Sequence, residues 1–178
     1  MIQIVDIEDR LHLDDEESYV YISGVVRELK LAAKTMLSRF RNRKIWMVNS
    51  TAQGGGVAEM MPKMVRILRD LGIPTDWVVI GTEAEQFFSL TKRLHNRIHD
   101  FGRNAFTAED RALYENVSRE VAAELEALVA PDDILIVHDP QPMGAGAFLK
   151  RKTGALSIWR CHIGLDRNTP TTDAAWDF

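Results

Sequence analysis

Short apolar runs alternate with amphipathic stretches along most of this chain. Ile45-Trp46-Met47-Val48, Trp77-Val78-Val79-Ile80, Ile134-Leu135-Ile136-Val137 and Leu156-Ser157-Ile158-Trp159 each read as a brief strand. Between them, Val57, Met60, Met61, Met64, Val65, Leu68 and Leu71 recur at three- and four-residue spacing. Phe87, Phe88, Leu90, Leu94 and Ile98 do the same, as do Leu113, Val117, Val121, Leu125 and Leu128. These are the apolar stripes of three helices. Gly72 and Gly102 stop the first two, and Pro74 lies just past the first stop. Thr107 with Asp110 three residues on opens the third, close to a capping box. A short helix is expected over 144–152. Upstream, residues 2–5 read as a strand followed by an acidic arm, and 17–41 as a helix interrupted at Gly24. Strands that are continuously apolar, each followed by a helix, define an α/β fold. It is an open, doubly wound parallel sheet covered on both faces, Rossmann-like in layout. No repeat, low-complexity segment or linker interrupts it. Residues 1–43 form an arm and helix, and 44–178 form the Rossmann-like domain.

Composition narrows this little. At 178 residues the chain has the size of one domain, large enough to bury a core without disulfide or metal staples. Hydrophobic residues at 46% and charged residues at 27% exclude disordered, collagenous and coiled-coil classes. No apolar run reaches the roughly 20 residues that span a bilayer, and the N-terminus has no signal-peptide pattern. A single cysteine, Cys161, cannot form an internal disulfide, so a reducing, cytoplasmic setting is expected. The net charge of −4 is uneven. In the first 20 residues Asp6, Glu8, Asp9, Asp14, Asp15, Glu16 and Glu17 stand against Arg10 alone, which leaves the remainder mildly basic. The cluster Arg39, Arg41, Arg43 and Lys44 reads as the cationic C-terminus of a helix, and nucleic acid is not an expected partner.

In a doubly wound sheet, ligands bind beyond the carboxyl ends of the strands. The polar clusters fall there: 49–56, 138–141 and 160–162. Gly54-Gly55-Gly56 lies between a strand and a helix N-terminus, where free amides and the helix dipole suit a phosphate. The other reading is that three glycines simply permit a tight turn. No Gly-Lys-Ser/Thr follows, so this is not a Walker A loop. Glu59 occupies the third glycine position of a dinucleotide fingerprint, which disfavours a nicotinamide oxidoreductase. His95 and His99 are spaced like a metal pair, but Asn96 stands where a His-Glu-x-x-His motif has its acid, and no metal is expected. His138 ends a strand and is followed by Asp139 and two prolines that stiffen a loop. It reads equally as a satisfied histidine at the sheet edge. Arg160-Cys161-His162 sets a cation and an imidazole beside it, and Cys161 reads as structural.

The string Val48-Asn49-Ser50-Thr51-Ala52-Gln53-Gly54-Gly55-Gly56-Val57-Ala58-Glu59 closely resembles the opening motif of glycosyltransferring trehalose synthases. The retaining trehalose phosphorylases share it. Phe87-Phe88, Thr91-Lys92, His95-Asn96, His138-Asp139-Pro140-Gln141-Pro142 and Trp159-Arg160-Cys161-His162-Ile163 also resemble that family, from about residue 44 onward. Gly164 departs from it, since the family usually has an acid after His-Ile.

The resemblance implies the N-terminal, acceptor-binding half of a double-Rossmann (GT-B) retaining glycosyltransferase. Such enzymes transfer glucose from a nucleotide-glucose, or from glucose 1-phosphate, to glucose, and no cofactor is expected. By position, Gly54, Gly55 and Gly56 would face the donor phosphates. His138 and Asp139 would be catalytic, beside the reacting carbon. Gln53, Lys92, Asn96, Gln141, Arg160 and His162 would line the acceptor pocket. The C-terminal donor domain with its nucleotide pocket would be absent, the chain alone inactive, and self-association is expected, through the N-terminal arm or through uncovered apolar surface at Trp176, Phe178 or the sheet edge. The alternative function is a non-catalytic sugar- or phosphate-binding module.

Overall fold

The computed structural model describes residues 1–8, 12–40, 43–102 and 105–178. Asp9, Arg10 and Arg41, which enter the charge reading, lie outside them. The described residues form a sheet of five strands: β1 (Ile2–Ile4), β2 (Ile45–Asn49), β3 (Thr75–Ile80), β4 (Ile134–His138) and β5 (Leu156–Arg160). Their spatial order is β1-β3-β2-β4-β5. β2 to β5 are parallel, as the apolar runs require. β1 is added antiparallel against β3, with Ile2 opposite Ile80. From β2 the chain first moves outward to β3, then returns to the far side for β4 and β5. The point where the direction reverses lies between β2 and β4, and this is where a doubly wound sheet opens a crevice.

Among the described residues seven helices connect and flank the strands: α1 (Leu13–Glu17), α2 (Ser23–Phe40), α3 (Gly56–Asp70), α4 (Glu85–Ile98), α5 (Ala108–Glu126), α6 (Pro140–Thr153) and α7 (Pro170–Trp176). Successive strand residues serve opposite layers. Trp46, Val48, Val78, Leu135 and Val137 pack with Phe87, Leu90, Val117, Val121, Leu125 and Leu149 from α4, α5 and α6. Ile45, Met47 and Trp77 pack with Met61 and Val65 of α3 and with Leu37 and Phe40 of α2.

Three boundaries differ from the sequence reading. The expected 17–41 helix is divided at 18–22, not at Gly24, which sits in the first turn of α2. The acids of the arm find partners on α2, with Glu17 paired to Arg27 and Lys30, and Asp14 to Lys30. α6 begins at Pro140, four residues before the expected start. A proline lacks only an N–H that the first helical turn leaves unpaired, so the two prolines open a helix instead of stiffening a loop. α7 was not expected. Thr169 caps it with Thr172, and Pro170 is its first residue.

α6 lies unusually close to α5. A Cβ on Gly144 would stand 2.4 Å from Ser118 Oγ and 2.9 Å from Tyr114 Cε1. Tyr114 donates its hydroxyl to Pro140 O (2.6 Å) and accepts from the Gly144 N–H (3.0 Å). Burial pushes that phenol up to about 12. The start of α6 is thereby held in place. β5, read from sequence as the fourth apolar strand, is an exposed edge: Leu156, Ile158 and Trp159 are each 40% or more accessible. Trp176 is exposed as well, whereas Phe178 packs on Phe106 with ring centroids 4.2 Å apart.

Candidate functional site

A cleft of about 470 Å³ opens at the carboxyl ends of β2 and β4. Asn49, Ser50, Thr51, Gly54, Gly55 and Gly56 contribute one part of its lining, and Lys92 and His95 of α4 another. His138, Asp139 and Gln141 come from the end of β4 and the start of α6, and His162 from beyond β5.

The glycine loop is shaped from below by Asn49. This buried side chain accepts the Trp77 indole N–H at Oδ1 (2.7 Å) and donates from Nδ2 to Thr51 O (2.8 Å). Gly54 and Gly55 have φ of 73° and 86°, which side-chain-bearing residues rarely adopt. Gly56 has no such constraint, and a Cβ there would meet nothing within 4 Å. The turn therefore explains two of the three glycines. Gly56 opens α3, whose first-turn N–H groups have no helical acceptor and sit at the positive end of the dipole.

Asp139 joins the ends of β4 and β5. Its N–H donates to Arg160 O (3.0 Å), and its own carbonyl accepts the Trp159 indole N–H (3.0 Å). Its carboxylate accepts the His162 N–H (2.8 Å). It holds φ 64° and ψ 179°, a region normally reserved for glycine, at a cost of order 1–3 kcal/mol. Such strain persists only where the surroundings over-determine it, and those three hydrogen bonds do so.

His138 is 1% exposed. Its Nδ1 lies 2.8 Å from His162 Nε2 with the two ring planes 12° apart, and its Nε2 lies 3.4 Å from Met47 Sδ. Burial, then the nearby His162 and Arg160, push it down to about 4, so the ring is neutral at physiological pH. His95 is also shifted down, chiefly by burial and then by His99 and Lys92, against an opposing pull from Asp139. Burial raises the Cys161 thiol, which donates to Ile163 O, in keeping with a structural cysteine.

The cleft offers two kinds of polar group. Loop amides and the Lys92 ammonium are donors that match phosphate oxygens. The Asp139 carboxylate is an acceptor that matches hydroxyl hydrogens, and so is the Gln141 amide oxygen, which is buried with no hydrogen-bond partner among the described residues.

Of the site residues named from sequence, the structure brings Gly54, Gly55, Gly56, Lys92, His138, Asp139, Gln141 and His162 into this lining. It leaves three outside. Gln53 and Asn96 are exposed and do not belong to the lining. Arg160 reaches the sheet edge with its backbone, but its guanidinium lies against Met64 Sδ of α3 at 3.6 Å. Asn49, Met47 and His95 were not named as site residues. His95 stood in the sequence only as half of a metal-like pair and as part of the family-like His95-Asn96. Among the described residues no group of three or more His, Cys, Asp or Glu is arranged to hold a metal ion, and no helix is long and apolar enough to cross a membrane.

A doubly wound sheet with a donor-rich glycine loop and acceptor groups facing one crevice defines a Rossmann-like domain with a candidate ligand-binding crevice. The sequence profile described as "Trehalose synthase, N-terminal domain" matches residues 47–178, and the chain belongs to that family. It is 37% identical over 166 residues to a trehalose synthase of Rubrobacter xylanophilus, covering 89% of this chain and 38% of the relative. With a trehalose synthase of Pyrococcus horikoshii it shares 36% over 162 residues, 91% of this chain and 37% of the relative. With a trehalose phosphorylase of Pleurotus sajor-caju it shares 30% over 171 residues, 89% of this chain and 22% of the relative. The chain thus spans less than two fifths of the length of these relatives. The fold is the Rossmann-like N-terminal half of the GT-B arrangement, as the resemblance implied.

Proposed function

We propose that this chain is the acceptor-binding part of a retaining glycosyltransferase. The enzyme would form trehalose by moving glucose from a nucleotide-glucose, or from glucose 1-phosphate, to glucose. The observation that carries the reading is the meeting of the 54–56 loop with Asp139, Gln141 and His162 around one cleft at the reversal point of the sheet.

In this reading the amides of 54–56 hold the donor phosphates, and Lys92, named from sequence for the acceptor pocket, is reassigned to those phosphates as a cationic donor. Asp139, Gln141 and His162 take acceptor hydroxyls, and His138 forms the floor beside the reacting carbon. Retention needs no protein nucleophile if the donor phosphate takes the acceptor proton, so the protein contributes orientation and preorganised charge. A hydroxyl lost from the ligand would leave buried acceptors unpaired, which is a strong source of selectivity. The nucleotide would be held by a second domain, and turnover by this chain alone is not expected.

Titration of the ¹⁵N-labelled chain with glucose and with inorganic phosphate tests the reading. Glucose should move the resonances of Asp139, Gln141 and His162, and phosphate those of Gly54, Gly55 and Gly56. Saturating glucose without effect at the first set would overturn it. Trehalose formation from glucose and a nucleotide-glucose by this chain alone would overturn the half-enzyme part.

A further inference from the structure

The two imidazoles and the methionine sulfur at the cleft floor constrain one another's protons. His138 Nδ1 and His162 Nε2, 2.8 Å apart, need one proton between them: two N–H groups would collide, and two lone pairs would repel. His138 Nε2 faces Met47 Sδ at 3.4 Å. A thioether has lone pairs and no proton to give. A bare Nε2 there would set lone pair against lone pair, whereas an Nε2–H makes a weak N–H···S bond. The buried ring cannot carry both protons, because it is neutral at physiological pH.

We propose that His138 is a positioning residue: the Met47 sulfur keeps its proton on Nε2, and its bare Nδ1 then fixes His162 in the Nε2–H form. His162 Nδ1 is thereby left as an acceptor for a ligand hydroxyl. The ligand class in that last step rests on the sugar-binding reading above. His162 lines the cleft, and its ring makes no hydrogen bond among the described residues other than the one to His138. Its backbone N–H is pinned by the Asp139 carboxylate, so main chain and ring are anchored independently.

The arrangement gives His162 the same polarity as its neighbours Asp139 and Gln141. All three present acceptors, and a ligand rich in O–H groups satisfies all three. A phosphate oxygen meeting a bare imidazole nitrogen would gain nothing, so phosphate is directed to the amides of 54–56. His138 reaches the ligand's chemistry through His162 and not with a free ring nitrogen of its own, since both of its nitrogens are engaged within the protein.

Long-range ¹H–¹⁵N correlation spectra of the ¹⁵N-histidine-labelled chain near neutral pH read each ring's tautomer directly. His138 and His162 should both show a protonated Nε2 and a bare Nδ1. A His138 protonated on Nδ1 would overturn the proposal. Met47→Leu keeps the side chain's bulk and removes the sulfur lone pairs, and it should turn both rings into tautomer mixtures. Both rings still purely Nε2–H in that variant would overturn the part given to Met47. If the variant does not fold, the wild-type spectrum decides. Glucose titrated into the wild type tests the ligand class separately: the His162 Nδ1 resonance should move. A static resonance would overturn hydroxyl acceptance at His162 even with the tautomers as stated.

Discussion

The Trp77 indole N–H points at Asn49 Oδ1 across the β2–β3 pair, 2.7 Å away, with both residues buried. Through this contact the side chain that shapes the glycine loop is locked to the core of the sheet. Core packing and the conformation of a ligand loop are therefore one structural unit here, since the other end of the same carboxamide holds Thr51 O.

Asn49→Ala should accordingly act on both. It leaves a buried indole N–H without an acceptor, a loss of roughly 1–3 kcal/mol. Urea denaturation should show that loss. Amide hydrogen exchange at 51–56 should speed up by more than the global destabilisation accounts for. Exchange that rises only in step with global stability would mean that Asn49 does not shape the loop.

The three glycines should respond differently to alanine. Gly55→Ala forces a side chain into φ 86° and should cost about 1–2 kcal/mol. Gly56→Ala has ordinary φ and open space, adds a better helix former, and should be neutral or stabilising by up to about 1 kcal/mol. If phosphate approaches this backbone, Gly56→Ala should still weaken phosphate binding several-fold. A Gly56→Ala variant with unchanged phosphate affinity would reduce the loop to a turn.

Much of this fold follows from local patterns. The strands were legible because a parallel sheet covered on both faces demands continuous apolar runs, and Thr107 marks the start of α5 by its capping chemistry. β1 carries no mark of direction, so its antiparallel addition could not be read. α7 is too short to show a stripe, and only Thr169 with Pro170 hints at it. The cleft was legible as a place but not as a set of contacts. Register puts Arg160 opposite His138, and two further residues bring His162 back to the edge of the ring, a relation no sequence spacing states. Side-chain direction likewise decides that Arg160 turns to α3, although His162 and Ile163 of the same motif line the cleft, and Asn96 lies outside it although the adjacent His95 lines it.

Asp139 allows backbone strain to be separated from hydrogen bonding. Asp139→Ala loses the carboxylate that accepts the His162 N–H and keeps the strained φ. Asp139→Gly loses the same carboxylate but relieves the strain. The glycine variant should therefore be more stable than the alanine variant by about 1–2 kcal/mol, while both lose glucose-induced shifts at His162. Equal stability of the two would show that the chain relaxes out of the observed conformation when the carboxylate is gone.

Acid should weaken the fold in a window set by His138. Its folded-state value is about 4 against an ordinary 6.5, so the unfolded chain binds the proton that the folded chain refuses. Stability is complete above about pH 6.5 and falls as pH drops toward 4. If the whole shift counts, the loss reaches about 3 kcal/mol. His95, shifted in the same direction by burial, adds a loss of the same sign. Asp76 and Asp110, held low by Lys44 with Arg69 and by Arg93 respectively, contribute only as pH falls through the carboxylate range. The interval between about pH 6.5 and 5 therefore belongs mainly to the histidines. His138→Gln keeps a polar side chain but cannot titrate. It should lower stability at neutral pH, because the contacts to Met47 and His162 are disturbed, and flatten the pH dependence across that interval. Urea midpoints measured at half-unit steps for both proteins decide it: parallel curves would mean that the buried imidazole accepts a proton without penalty.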